Sequence, residues 1–215
     1  MGVKNPDLNH VLDLPLLLDS ASRCLSSADN IKTDDYLCIM HQLKKLLFSF
    51  HPGLSVVYKS GRSGLKSLEI HRVSGARCYY DSLGTMVQYE MDNDLLKGSS
   101  RLASGSVALR DLNHILGFIL QFLLLLQQTE LANEPFSAKE RIGIYMKTLG
   151  IHHSLLVRLS CKMALSQCPG RHRLIQKFST QCPDANRPTA VLNQLLEELY
   201  PVHDAVQLLL NVVIV

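Results

Sequence analysis

Residues 105–128, GSVALRDLNHILGFILQFLLLLQQ, decide how this chain folds. At the 100° step of an α-helix the segment is apolar on nearly every side, so it reads as a helix that other helices must cover. It belongs in the middle of the molecule. Its longest apolar run, Ile115 to Leu126, is too short to span a bilayer comfortably. On this rod Ser106, Arg110, Asn113, Gly117 and Gln121 fall within a sector of about 80°, a narrow polar stripe. Arg110 therefore reads as a partly buried guanidinium, which requires a carboxylate, a phosphate or several carbonyls as partner. An internal bridge to Glu90 or to the neighbourhood of Asp111 would meet that requirement, and so would a bound phosphate.

Outward from this segment, every long periodic stretch repeats near 3.6 residues and none sustains the alternation of a strand. The class is all-α, with helices expected at residues 8–27, 34–49, 54–72, 79–97, 105–128, 138–167, 171–181 and 189–213. Ser137 and Glu140 make a capping box for the sixth, and Pro169-Gly170 stops it. Pro52-Gly53 ends the second, Pro188 sits near the start of the last, and Pro201 is expected to kink or break that last helix. In the sixth, read as one helix, Ile142, Tyr145, Leu149, Leu156, Leu159 and Met163 form an apolar stripe, with His152 inside it and His153 at its edge. The pair is either a hydrogen-bonded core histidine beside a solvated one, or His153 is a ligand-binding or catalytic group.

The 215 residues suit one domain, and 47% hydrophobic against 19% charged is a globular composition. The six cysteines include no C-x-x-C pair and no secretory signal precedes them, so reduced, mostly buried thiols in a cytosolic protein are expected. The net charge of +3 is unevenly distributed. Arg141, Lys147, Arg158, Lys162, Arg171, Arg173 and Lys177 fall in a segment with no acid, and Lys44, Lys45, Lys59, Arg62, Lys66, Arg72 and Arg77 in one whose sole acid is Glu69. Such patches attract lipid head groups or nucleic acid, but exposed stacking aromatics do not interleave with them, which argues against nucleic acid. There is no G-x-S-x-G elbow, Walker loop, H-E-x-x-H or clustered carboxylate pair, and the cysteines and histidines lack metal spacing. No catalytic residue, metal or cofactor is expected.

The ordered set YYDSLGTMVQYEMDNDLL (79–96), GSVALRDLNHILGFILQFL (105–123) and YMKTLGIHHSLLVRLSCKMALSQCP (145–169) resembles the glycolipid transfer protein superfamily, and most closely its ceramide-1-phosphate transfer branch. The similarity covers about residues 30–180. It implies an all-α, two-layer sandwich of about eight helices over a single domain, residues 1–215. It also implies a carrier that holds a sphingolipid head group in a polar surface site and the chains in an apolar pocket. Carried over by position, the family histidine that supports the head group and amide falls on His153, and the aromatic position before it holds His152. The second arginine of the phosphate branch falls on Arg110 and the first on Ser106. The acidic residue that accepts the sphingoid amide N–H falls on Ser60 and the basic residue one turn later on Gly64, with Lys66, Lys59 or Arg62 able to provide the cation. The stacking Trp of the sugar-binding branch falls near Gly117, and the chain contains no Trp, so sugar stacking on an indole is excluded.

The resemblance thus implies an intermembrane carrier of ceramide-1-phosphate or a related phosphosphingolipid, and not an enzyme. Arg110 would bind the phosphate, His153 would position the head group or amide, and Lys66 or Arg62 would assist. The chains would lie among Leu46, Phe50, Phe118, Phe122, Leu149 and Leu156, and the basic patches would dock transiently on an anionic membrane. The charges missing at Ser60, Gly64 and Ser106 leave one alternative, a divergent helical interaction protein of the same fold without lipid transfer. Nothing in the sequence sets the oligomeric state.

Overall fold

The computed structural model describes residues 11–26, 30–97, 102–131, 136–181 and 188–213, and among these it is all-α. The helices are α1 (Leu14–Ser26), α2 (Thr33–Phe50), α3 (Ser55–Arg72), α4 (Leu83–Asp92), α5 (Gly105–Leu131), α6 (Ala138–Thr148), α7 (Leu155–Gln167), α8 (Arg171–Gln181) and α9 (Pro188–Asn211). Short 3-10 turns at Pro52–Leu54, Arg77–Tyr80 and Gly150–His152 join some of them. The arrangement is the expected two-layer helical sandwich.

The helix starts follow from capping chemistry. Asp13 accepts the Leu16 N–H at 3.0 Å and so fixes the start of α1, while residues 8–10 of the expected helix lie outside the described residues. Ser82 accepts the Thr85 N–H at 3.2 Å, which starts α4 at Leu83 and leaves Tyr79 and Tyr80 in the preceding 3-10 turn. Ser137 and Glu140 form the expected reciprocal box at α6. Of the two outcomes expected at Pro201, a kink or a break, the break does not occur, since α9 continues through it to Asn211. Pro188 is its first residue, where a missing N–H costs nothing.

α5 is the central helix, packed against α3, α4, α6 and α9. It is long and apolar enough to cross a bilayer, yet Leu109, Leu112, Leu116, Phe118, Ile119, Phe122 and Leu123 on it are all buried in the protein core. Each such side chain contributes about 1.5–3 kcal/mol by leaving water. Gly64 lets α3 approach α5, because a Cβ there would lie 3.1 Å from the Ala108 carbonyl oxygen.

The expected helix over 138–167 is two helices. Gly150 begins a 3-10 turn, His153 and Ser154 are extended, and α7 restarts with the Arg158 N–H on the Ser154 carbonyl. The break resets the helical phase. Tyr145 and Leu149 stay buried, whereas Leu155 (66% exposed), Leu156 (77%), Leu159 (50%) and Met163 (63%) face outward. The single apolar stripe read across this segment therefore does not form.

Candidate functional site

The site begins where α5 begins. Glu90, fully buried on α4, accepts the Gly105 N–H at 2.6 Å and the Ser106 N–H at 2.8 Å, and also the Tyr80 hydroxyl at 2.9 Å. A carboxylate here satisfies two orphan donors and sits at the positive end of the helix. Ser106 is buried, and its hydroxyl has no hydrogen-bond partner among the described residues.

One turn later the chain reaches water. Arg110 is exposed rather than partly buried, and it makes no hydrogen bond or ion pair among the described residues. The internal bridge to Glu90 does not form, because Glu90 is held by the α5 terminus and Tyr80. The rest of the polar stripe serves packing on α9. Asn113 donates to the His203 carbonyl and to Gln207, Gln121 donates to the Tyr200 hydroxyl at 3.1 Å, and a Cβ on Gly117 would lie 3.0 Å from His203 Nε2.

The two adjacent histidines exchange their expected places. His152 is exposed, and its ring stacks on His114 of α5 with centroids 3.9 Å apart and planes 6° from parallel. His153 is half-buried, with Nδ1 2.8 Å from the hydroxyl of buried Tyr145. The extended backbone at His153 turns the two side chains apart, which no single helix would do. Burial pushes His114 down to about 4, helped by the charges of His152, Arg110 and His203. Burial likewise lowers His153, with His152 adding to it. Half-buried Asp111 is pushed up by burial and pulled back by Arg110 and His152. Arg110, Asp111, His114 and His152 thus form one electrostatic group at the outer end of α5.

The remaining expected site residues divide. Gly64 is buried against α5, with no room for a basic side chain, and Lys66 is exposed on α3. The side chains of Ser60 and Arg62, and of Lys59, lie outside the described residues. Leu46, Phe50, Phe118, Phe122 and Leu149 are buried together, whereas Leu156 is on the surface and lines no interior pocket. Phe122 lies 6.1 Å from Phe50, 6.0 Å from Phe118 and 5.7 Å from Phe136 between ring centroids, and Phe118 meets Tyr145 edge-on at 6.0 Å.

The basic patches are smaller than their composition suggests. Arg141 is buried over the Phe136 ring and donates to the Pro169 carbonyl; Arg171 donates to the Leu126 carbonyl and Lys177 to that of Phe50. Arg72 bridges Asp34 and Asp81. Lys147 on α6, Arg173 on α8, and Lys44, Lys66 and Arg77 remain exposed. Sequence reading missed His114, Tyr145 and His203 as site neighbours. Only the one-turn spacing of Arg110 and His114 on α5 signalled the first.

Such a fold, with one unpaired guanidinium and a histidine cluster at the end of an apolar central helix, fits a helical carrier of an amphipathic anion. The chain belongs to the glycolipid transfer protein family, whose model matches residues 31–180. It is 26% identical over 201 residues to the ceramide-1-phosphate transfer protein of Rattus norvegicus, covering 91% of each chain. Its fold is similar to that of mouse ceramide-1-phosphate transfer protein in the apo form (TM-score 0.76, 24% identity, 91% of this chain and 94% of the other). The human protein in complex with 12:0 ceramide-1-phosphate is equally similar (TM-score 0.77, 23% identity, 92% and 95%).

Proposed function

We propose that this protein carries a phosphorylated sphingolipid, ceramide-1-phosphate or a close relative, between membranes. The observation that carries the proposal is Arg110, an exposed guanidinium with no partner among the described residues, on which the resemblance puts the second arginine of the phosphate branch. Its planar fork suits a phosphate bidentately. His153, held by Tyr145, positions the head group or amide, and Lys66 or Arg62 assists from α3. The lipid chains enter among Leu46, Phe50, Phe118, Phe122 and Leu149 by displacing rings that pack on one another.

The cycle changes no covalent bond. The exposed apolar surface of Ile151, Leu155, Leu156, Leu159 and Met163, flanked by Lys147 and Arg158, seats the protein transiently on an anionic bilayer. The whole chain acts as one domain, in the cytosol. A second reading rests on the ring contacts that fill the interior, which suit an interaction protein without cargo.

Lipid mass spectrometry on protein purified under mild conditions from a eukaryotic host separates the two, with Arg110→Leu processed alongside. A stoichiometric phosphosphingolipid in the wild type and none in the variant supports the carrier. An empty wild type that also fails to move ceramide-1-phosphate between vesicles supports the second reading.

A further inference from the structure

His114 stands one turn beyond Arg110 on α5, and His152 belongs to the turn between α6 and α7; their rings lie parallel with centroids 3.9 Å apart. Two imidazolium rings at that separation repel, so the pair accepts one proton far more readily than two. The group faces charges from several elements. Arg110 and Asp111 lie on α5, His153 with Tyr145 behind it comes from the α6–α7 region, and His203 with Asp204 on its ring comes from α9. Among the described side chains, none on α3 or α4 acts on His114.

Among the described side chains of α5 itself, Arg110 is the fixed cation at this end. Gly64 has no side chain, and Ser106 is buried with its N–H on Glu90. A phosphomonoester carries between one and two negative charges at neutral pH, so Arg110 alone leaves it under-compensated.

We propose that the stacked pair His114–His152 is a further, titratable cation of the head-group site, taking up one proton from solvent when a phosphomonoester binds beside Arg110, so that cargo capture strengthens as pH falls. The inference rests on the carrier reading above. In the empty site burial holds His114 at about 4, so its ring is neutral at physiological pH. An anion placed against the stack favours the charged form and raises that value. No bond other than N–H forms. Protonation of Asp111, whose carboxyl burial pushes up, removes a negative charge facing the same anion and acts in the same direction.

The test measures loading of ceramide-1-phosphate from phosphatidylcholine vesicles at pH 7.5, 6.5 and 5.5. Vesicles with unphosphorylated ceramide and competition by inorganic phosphate run in parallel. Wild-type loading of ceramide-1-phosphate is expected to rise by up to about tenfold per pH unit, the limit for one linked proton, while ceramide loading stays flat. The phosphate itself loses charge over this range, so His114→Asn and His152→Asn are expected to show a flat or falling profile. His152→Arg should load well at every pH, and His172→Gln, exposed on α8, should keep the wild-type profile. Competition by inorganic phosphate in the same pH-dependent way marks the free ion as sufficient; its absence ties the site to lipid-borne phosphate.

A readout free of variants is the NMR titration of the His114 ring, which should move upward from about 4 once ceramide-1-phosphate is loaded. If ceramide-1-phosphate loads but the histidine variants keep the wild-type pH profile, the inference fails and the carrier reading stands, with Asp111 as the titrating group. If ceramide-1-phosphate loads at no pH, the carrier reading fails and takes the inference with it.

Discussion

Tyr145 on α6 places its hydroxyl 2.8 Å from Nδ1 of His153, and so fixes that half-buried ring. The phenol is buried, and burial raises its pKa, so it stays a neutral hydroxyl at any working pH. Tyr145→Phe removes this bond and the hydroxyl's interaction with the Cys161 thiol while keeping the edge-on contact with Phe118. It should cost about 1 kcal/mol of stability and lower ceramide-1-phosphate loading several-fold through a less ordered His153. Urea unfolding and a vesicle loading assay read the two effects separately.

The architecture was legible because it depends on periodicity and caps. The all-round apolarity of residues 105–128 put α5 in the core, and Ser137 with Glu140 marked the start of α6. What sequence could not show is where helical phase is lost. Nothing in the composition of 143–165 requires a break, yet extended backbone at His153 and Ser154 moved Leu156, Leu159 and Met163 from the core to the surface and exchanged the surroundings of His152 and His153. The polar stripe on α5 was read correctly as a stripe, but its partners lie on α9, distant in sequence. Arg110 is exposed although Ser106, one turn nearer the helix start, is buried, a difference that a wheel projection does not include.

Glu90 holds the start of the helix that carries Arg110. Its two oxygens accept two backbone N–H groups and the Tyr80 hydroxyl in a fully buried setting. Glu90→Gln turns an amide N–H toward donors that need acceptors and removes the charge from the helix N-terminus. The loss should be about 2–4 kcal/mol, read as a lower denaturant midpoint with an unchanged m-value.

His114 makes the empty protein sensitive to acid. Its folded-state pKa is about 4, below the ordinary histidine value, so between pH 6.5 and 4 the unfolded chain binds a proton that the folded one does not. Stability from this residue is therefore complete above about pH 6.5 and falls as pH drops toward 4. His114→Asn should flatten the decline in melting temperature between pH 6.5 and 4.5 relative to wild type. A parallel decline in both proteins assigns the acid sensitivity to other groups.

The surface of α7 makes membrane docking separable from cargo binding. Leu155 and Leu156 are 66% and 77% exposed, so replacing either with Asp removes little packing and should change stability by no more than about 0.5 kcal/mol. On a bilayer the same residues bury their side chains among lipid, worth about 1.5–3 kcal/mol each, which corresponds to roughly tenfold or more in membrane affinity per residue. Leu155→Asp and Leu156→Asp should therefore slow vesicle-to-vesicle transfer by about that factor. Binding of a short-chain ceramide-1-phosphate added from solution should stay unchanged, because neither residue lies in the interior. Transfer at the wild-type rate in both variants would show that α7 does not meet the membrane, and would leave the basic side chains of other faces as the docking surface.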